Sequence, residues 1–143
     1  MSKRVLLCDD EPPILRAAEF KLKRAGYEVL CAADGQQAWE RIQRQPPDAL
    51  VTDCQMPRMG GCELCQLVRG YEPTRNLPIV MLTAKGFEFS ANEARDRYGV
   101  DRLMTKPFSP RELLETLDAI LAALDEKPAA TMPPGIGPSG APA

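Results

Sequence analysis

Four short apolar runs each end in a group that can carry or bind charge, and this restricts the fold more than any other feature. Ala49-Leu50-Val51 climbs through Thr52 to Asp53 and breaks at Cys54-Gln55-Met56-Pro57. Val5-Leu6-Leu7-Cys8 ends in Asp9-Asp10-Glu11, Ile79-Val80-Met81-Leu82 in Thr83, and Leu103-Met104-Thr105 in Lys106-Pro107. Runs of this length without alternation read as strands buried on both faces. Helical patterns separate them, so parallel strands joined by right-handed crossovers are expected, with helices on both faces of the sheet. The carboxyl ends of such strands share one rim, where open α/β sheets place their ligands. That rim would gather Asp9, Asp10, Asp53, the Thr83 hydroxyl and the Lys106 ammonium. This is the set that magnesium-assisted phosphoryl transfer to a carboxylate requires.

A chain of 143 residues suits one domain with a real core. Its net charge of −2 gives no basic field to draw nucleic acid or an anionic membrane, so neither is expected as a direct partner. Met1-Ser2-Lys3-Arg4 leads into only a short apolar stretch, unlike a signal peptide, and no run is long enough to span a bilayer. A cytoplasmic protein is expected. The five scattered cysteines read as free thiols of a reducing compartment. Histidine is absent, which removes histidine acid/base catalysis and histidine-ligated metal.

Taken in order, Pro12-Pro13 suits the first turn of a helix. Ile14, Leu15, Ala18, Leu22 and Ala25 share one stripe of it, and Gly26 ends it. Phe20 falls on the opposite side, as a singly exposed aromatic or as a docking contact. Tyr27 to Ala32 reads as an edge strand. Asp34 with Gln37 marks a helix start, with Ala38, Trp39 and Ile42 facing the core. After the turn Arg58-Met59-Gly60-Gly61 comes a helix over about Cys62 to Arg69, with Leu64, Cys65 and Val68 inward, then a polar connection over Gly70 to Leu77. Between Gly86 and Tyr98 no clean stripe appears, and a mobile or irregular fourth helix is expected. Ser109-Pro110-Arg111-Glu112 is a well-signalled helix start, followed by Leu113, Leu114, Leu117, Ile120, Leu121 and Leu124. The Pro/Ala/Gly-rich composition over 126–143 predicts a disordered tail or linker after a domain over 1–125.

Asp9-Asp10-Glu11-Pro12, Asp53 with Met56-Pro57 and Gly61, Thr83-Ala84-Lys85-Gly86 and Lys106-Pro107-Phe108 stand in an order and spacing similar to the receiver domains of two-component response regulators. The resemblance runs from about Lys3 to about Leu124. Each motif alone is unspecific, and the four together carry it. It implies a doubly wound, flavodoxin-like receiver fold of five parallel strands in the order 2-1-3-4-5. It implies a signalling switch rather than an enzyme acting on outside substrates. Asp53 would be the phosphoacceptor, assisted by Thr83 and Lys106, with Lys106-Pro107 a plausible cis peptide. Mg²⁺ would be held by Asp10, Asp53 and the backbone carbonyl of Gln55, with Asp9 acting through bound water. Three neighbouring carboxylates should repel, raising at least one pKa, with Lys106 offsetting part of their charge. The donor would be a histidine kinase or histidine phosphotransfer protein. The first helix is where the family usually meets its kinase. A downstream protein would meet the face of the fourth helix, fifth strand and fifth helix. Gln55 and Lys85 occupy positions that tune the phosphorylated lifetime.

Two positions depart from the family. Leu103 stands where an aromatic usually turns inward on activation, so output coupling could differ. Gly60 replaces a common aspartate before Gly61, which could loosen the adjacent loop. Cys62-x-x-Cys65 invites a zinc or redox reading, but zinc lacks a second close ligand pair and Cys65 fits a core slot. Cys54 reads as packing. Two other functions compete. An aspartate-nucleophile phosphatase would need a second acid where Gln55 stands. A receiver-like binding module controlled by contact alone would draw support from Leu103. A flavin binder is disfavoured, because the acidic loop after the first run would repel phosphate without metal.

Overall fold

The computed structural model describes residues 3–84 and 90–126. Five strands alternate with five helices: β1 (Arg4–Cys8), α1 (Pro12–Arg24), β2 (Glu28–Ala32), α2 (Gly35–Arg44), β3 (Ala49–Asp53), α3 (Gly61–Gly70), β4 (Ile79–Thr83), α4 (Ala91–Tyr98), β5 (Arg102–Thr105) and α5 (Pro110–Glu126). The strands form one sheet in the order β2-β1-β3-β4-β5, every pair parallel. This is the expected doubly wound order, with the chain reversing direction across the sheet between β1 and β3.

Successive residues of a strand point to opposite faces, and both faces are covered. Leu6, Cys8, Leu50, Ile79 and Met81 pack on one side with Ala38 and Ile42 of α2, Leu64, Cys65 and Val68 of α3, and Ala94 of α4. Val5, Leu7, Val51, Val80 and Leu82 pack on the other with Ala18 and Leu22 of α1 and Leu113 and Leu117 of α5. The central strands are therefore apolar without alternation because neither face meets water.

The helix starts follow their local chemistry. Asp34 Oδ1 accepts from the Gln37 N–H at 2.8 Å, while Gln37 Oε1 accepts from the Ala33 N–H, one residue earlier than the Asp34 N–H of a strict capping box. Ser109 and Glu112 close a full box at α5. Trp39 packs edge-on to Tyr71, ring centroids 5.5 Å apart. The Lys106-Pro107 peptide is cis.

Three expectations need correction. The fourth helix is short but regular over Ala91–Tyr98, with a complete Ser90/Glu93 capping box and Gly99 closing it in the left-handed conformation. Its signal lay in those caps rather than in an apolar stripe, because only Ala94 is buried. Ala25 and Leu124 are exposed, not core: Ala25 is the C-cap of α1, and Leu124 stands in the last turn of α5. The polar connection contains a 3-10 turn over Glu72–Thr74, anchored by the buried Thr74 hydroxyl donating to the Val68 carbonyl at 2.7 Å. Lys85, Gly86 and the tail expected over 126–143 lie outside the described residues, apart from Glu126 itself, the last residue of α5.

Candidate functional site

The rim at the strand carboxyl ends is built by register. Cys8 of β1 pairs with Thr52 of β3, Asp53 with Leu82 of β4, and Thr83 with Thr105 of β5. Asp9 and Asp10 follow β1, Lys106 follows β5, and all face the end of β3. Asp9, Asp10 and Asp53 each offer an oxygen, and the three oxygens lie within 4.8 Å of one another. An open cleft of about 480 Å³ is lined by Asp10, Glu11, Asp53, Gln55, Ala84 and Lys106. Thr83 is buried at the end of β4 beside it, and its carbonyl accepts from the Lys106 N–H at 2.7 Å.

Lys106 is the hub. Its ammonium donates to Asp53 Oδ2 at 3.0 Å and to Glu11 Oε1 at 2.9 Å. Asp9 Oδ2 lies 3.0 Å from the same nitrogen, but out of line for a hydrogen bond, so a buried carboxylate oxygen is left without a hydrogen-bond donor. Asp9 Oδ1 is satisfied by the Glu11 N–H at 2.9 Å. Burial works against the Lys106 charge, but its hydrogen bonds to Glu11 and Asp53 and its ion pair with Asp9 outweigh that, and it titrates above the ordinary lysine range.

Burial also raises the Asp9 carboxyl above its ordinary 3.8; Lys106 and the Glu11 N–H pull it back, and Asp53 adds a smaller push. Desolvation, not repulsion among carboxylates, is thus the leading cause. A carboxylate whose folded pKa is raised costs stability as pH rises from 3.8 through the raised value, because the unfolded chain then gives up its proton more readily. Asp9→Asn is accordingly expected to stabilise the metal-free fold at neutral pH, by about 1 kcal/mol, with the gain vanishing in acid. Urea unfolding at both pH values checks it.

The loop after β3 is held firmly. Cys54 donates its N–H to the Leu82 carbonyl at 2.8 Å and accepts from the Gly61 N–H at 2.9 Å. Gly35 donates to the Met59 carbonyl at 3.1 Å. Arg58 adopts a left-handed φ of 65°, and its guanidinium grips Asp34 Oδ2 at 2.6 and 2.9 Å. Gly60 caps α3 without a side-chain acceptor, so its cost falls on the helix start. Leu103 is half-buried against the core beneath α3 and α4.

All six residues read from sequence, namely Asp9, Asp10, Asp53, Gln55, Thr83 and Lys106, converge on the rim. Glu11 was missed as a third partner of Lys106, although it stood in the acidic run. An oxygen-only donor set with a buried, donor-less carboxylate oxygen suits a hard divalent cation. No helix among the described residues is long and apolar enough to cross a membrane.

Comparison with known proteins agrees with this geometry. The family model of the response regulator receiver domain matches residues 5–118. The alkaline phosphatase synthesis transcriptional regulatory protein PhoP of Bacillus subtilis (strain 168) is 40% identical over 121 residues, covering 85% of this chain and 49% of that protein. The chain therefore spans about half the length of that curated relative. The chemotaxis response regulator CheY4 of Vibrio cholerae superposes with a TM-score of 0.78 at 34% identity, covering 84% of this chain and 99% of that one. The receiver domain of a sensor histidine kinase from Pseudomonas aeruginosa PAO1, solved with a magnesium ion coordinated in its active-site cleft, gives 0.74 at 30% identity, over 85% of this chain and 99% of that one. With the matched segment running from β1 into α5 and the acidic rim inside it, the chain belongs to the response regulator receiver domain family.

Proposed function

We propose that this chain is a phospho-accepting signalling switch in which Asp53 takes a phosphoryl group from a phosphohistidine on a partner protein. The observation that carries the reading is the Lys106 ammonium bonded to Asp53 Oδ2 at the mouth of an open acidic cleft. An Asp53 oxygen attacks phosphorus, the bond from phosphorus to the histidine nitrogen breaks, and an acyl phosphate forms. Lys106 would leave its carboxylates for a phosphoryl oxygen, and the Thr83 hydroxyl would donate to another. Phosphoryl transfer asks chiefly for such positioning and charge neutralisation.

Asp10, Asp53 and the Gln55 carbonyl would hold Mg²⁺, with Asp9 reaching it through water. When bound, that ion neutralises phosphoryl charge. The protein transfers phosphate only to and from itself, so it is a switch rather than an enzyme with outside substrates. A histidine kinase or phosphotransfer protein is the donor, since the chain has no histidine. Phe20 on α1, 64% exposed with the Arg24 guanidinium 5.6 Å from its ring, is available to that partner. A downstream protein would meet the α4–β5–α5 face, where Leu124 is 47% exposed. Direct nucleic-acid binding is not expected, and the cytoplasm is the compartment where such donors act. The chemistry is tested by incubating the chain with Mg²⁺ and acetyl phosphate and taking intact masses. A gain of one phosphoryl group, absent from Asp53→Ala and blocked by EDTA, is expected. No gain from either acetyl phosphate or a phosphohistidine protein would sink the reading and leave a contact-regulated module.

A further inference from the structure

The Cys62-x-x-Cys65 spacing directs attention to the wrong pair. Cys65 is fully buried in the core under α3, and its thiol is pushed up to about 12 chiefly by that burial. Cys62, half-buried at the start of the same helix, instead faces Cys54, with the two sulfurs 3.6 Å apart. That gap is only about 1.5 Å longer than a disulfide bond. The backbones are already held together, because the Gly61 N–H donates to the Cys54 carbonyl at 2.9 Å. Cys8, by contrast, is engaged with the Asp34 carbonyl and the Met56 sulfur. The contact between the two sulfurs lowers the Cys62 thiol despite its burial, with help from Tyr98, and raises the Cys54 thiol in turn. Thiolate character with partial exposure is what peroxide attack requires.

We propose that Cys54 and Cys62 form a redox modification site, a dithiol that hydrogen peroxide converts to a disulfide, slowing phosphoryl uptake at the neighbouring Asp53. The Cys62 thiolate attacks one peroxide oxygen, the O–O bond breaks, and the leaving hydroxide takes a proton to become water. Cys62 is then a sulfenic acid, and the peroxide has been reduced. The Cys54 sulfur next attacks the Cys62 sulfur, the S–O bond breaks, and a second water leaves with the Cys54 proton. Two thiols and one peroxide thus give one disulfide and two waters.

The consequence for the site follows from position. Cys54 stands between Asp53 and Gln55, and its N–H is fixed to Leu82 of β4. Tying its side chain to α3 fixes the segment that must present the Asp53 oxygen and the Gln55 carbonyl together. Misplacement of a reacting group by about 1 Å is enough to slow a positioned reaction up to about a hundredfold. This coupling rests on Asp53 being the phosphoacceptor, whereas the disulfide itself does not.

The test treats the full chain with hydrogen peroxide and maps peptides without reduction. A loss of two hydrogens, a cross-link joining the Cys54 and Cys62 peptides, reversal by dithiothreitol, and absence of the link in Cys62→Ser but not in Cys65→Ser are expected. A Cys62–Cys65 link, or Cys62 carried to the sulfinic acid with Cys54 untouched, would overturn the site. Phosphorylation by acetyl phosphate is then timed on reduced and oxidised chain, with at least about a tenfold slowing expected on oxidation and none in Cys62→Ser. Equal rates would overturn the coupling alone. A reduced chain that takes up no phosphoryl group would instead overturn the receiver reading and the coupling with it, while the cross-link seen by mass would stand.

Discussion

Lys106→Ala is expected to unfold about 2–3 kcal/mol more readily than the wild type at neutral pH without divalent metal, and yet to bind Mg²⁺ more tightly. Lys106 touches Asp9, Asp53 and Glu11 within 3.0 Å. Removing it leaves Asp9 and Asp53 buried, charged and facing each other. The loss stays below that of breaking a fully enclosed pair because the cleft is open and the Glu11 arm is mostly solvated.

Two conditions should restore the variant, and they separate charge from packing. In acid the carboxylates protonate, so the gap between variant and wild type should close as pH falls. With Mg²⁺, the ion replaces the lost positive charge, and the gap should close at neutral pH as well. For the wild type the sign runs the other way in alkali. A lysine with a raised folded pKa contributes fully below its ordinary value of 10.5, and the contribution fades as pH rises through the folded value. Urea titrations at acidic, neutral and alkaline pH, with and without Mg²⁺, check this, and Lys106→Met controls for the lost methylenes. A deficit unchanged by both acid and Mg²⁺ would mean that Lys106 supports the fold by packing alone. Phosphoryl uptake should fall by at least about tenfold in either variant, since a group that stabilises transferring charge has been lost.

The strands and the rim were legible because each signal was local. An uninterrupted apolar run reports burial on both faces, and its last residue reports what stands on the rim. Asp53, Thr83 and Lys106 could therefore be placed from the sequence, as could the cap at Ser109. What stayed hidden depends on contacts between distant segments. Glu11 was visible as part of an acidic run, but which acid turns toward Lys106 depends on how the chain leaves β1. The Arg58 grip on Asp34 joins two loops separated by a strand and a helix. Cys54 meets Cys62 only because the intervening loop folds back, and the shorter Cys-x-x-Cys spacing concealed it. The α4 caps at Ser90 and Gly99 are local signals as well, but a helix that buries one alanine carries no apolar stripe to announce it.

Gly61→Ala is expected to destabilise the chain by about 3 kcal/mol and to weaken Mg²⁺ binding, although the new methyl is small and lies on a helix. A Cβ at Gly61 would run into the carbonyl oxygen of Asp53, with its carbonyl carbon and the Cys54 Cα also in close contact. These are backbone atoms, so no rotamer change can relieve the clash. The first turn of α3 must back away, or the end of β3 must move. Either response stretches the Gly61 N–H to Cys54 carbonyl bond and shifts the segment that carries Asp53 and Gln55. Helix propensity predicts the opposite sign, since alanine is favoured over glycine by about 1 kcal/mol. Gly70 supplies the control at the far end of the same helix, where a Cβ meets nothing within 4 Å. Gly70→Ala should therefore gain about 0.5 kcal/mol and leave Mg²⁺ affinity unchanged. Denaturant midpoints and magnesium titration of the two variants side by side decide the matter. If Gly61→Ala were as stable and bound metal as well as Gly70→Ala, the close approach of α3 to the Asp53 backbone would not be what positions the site.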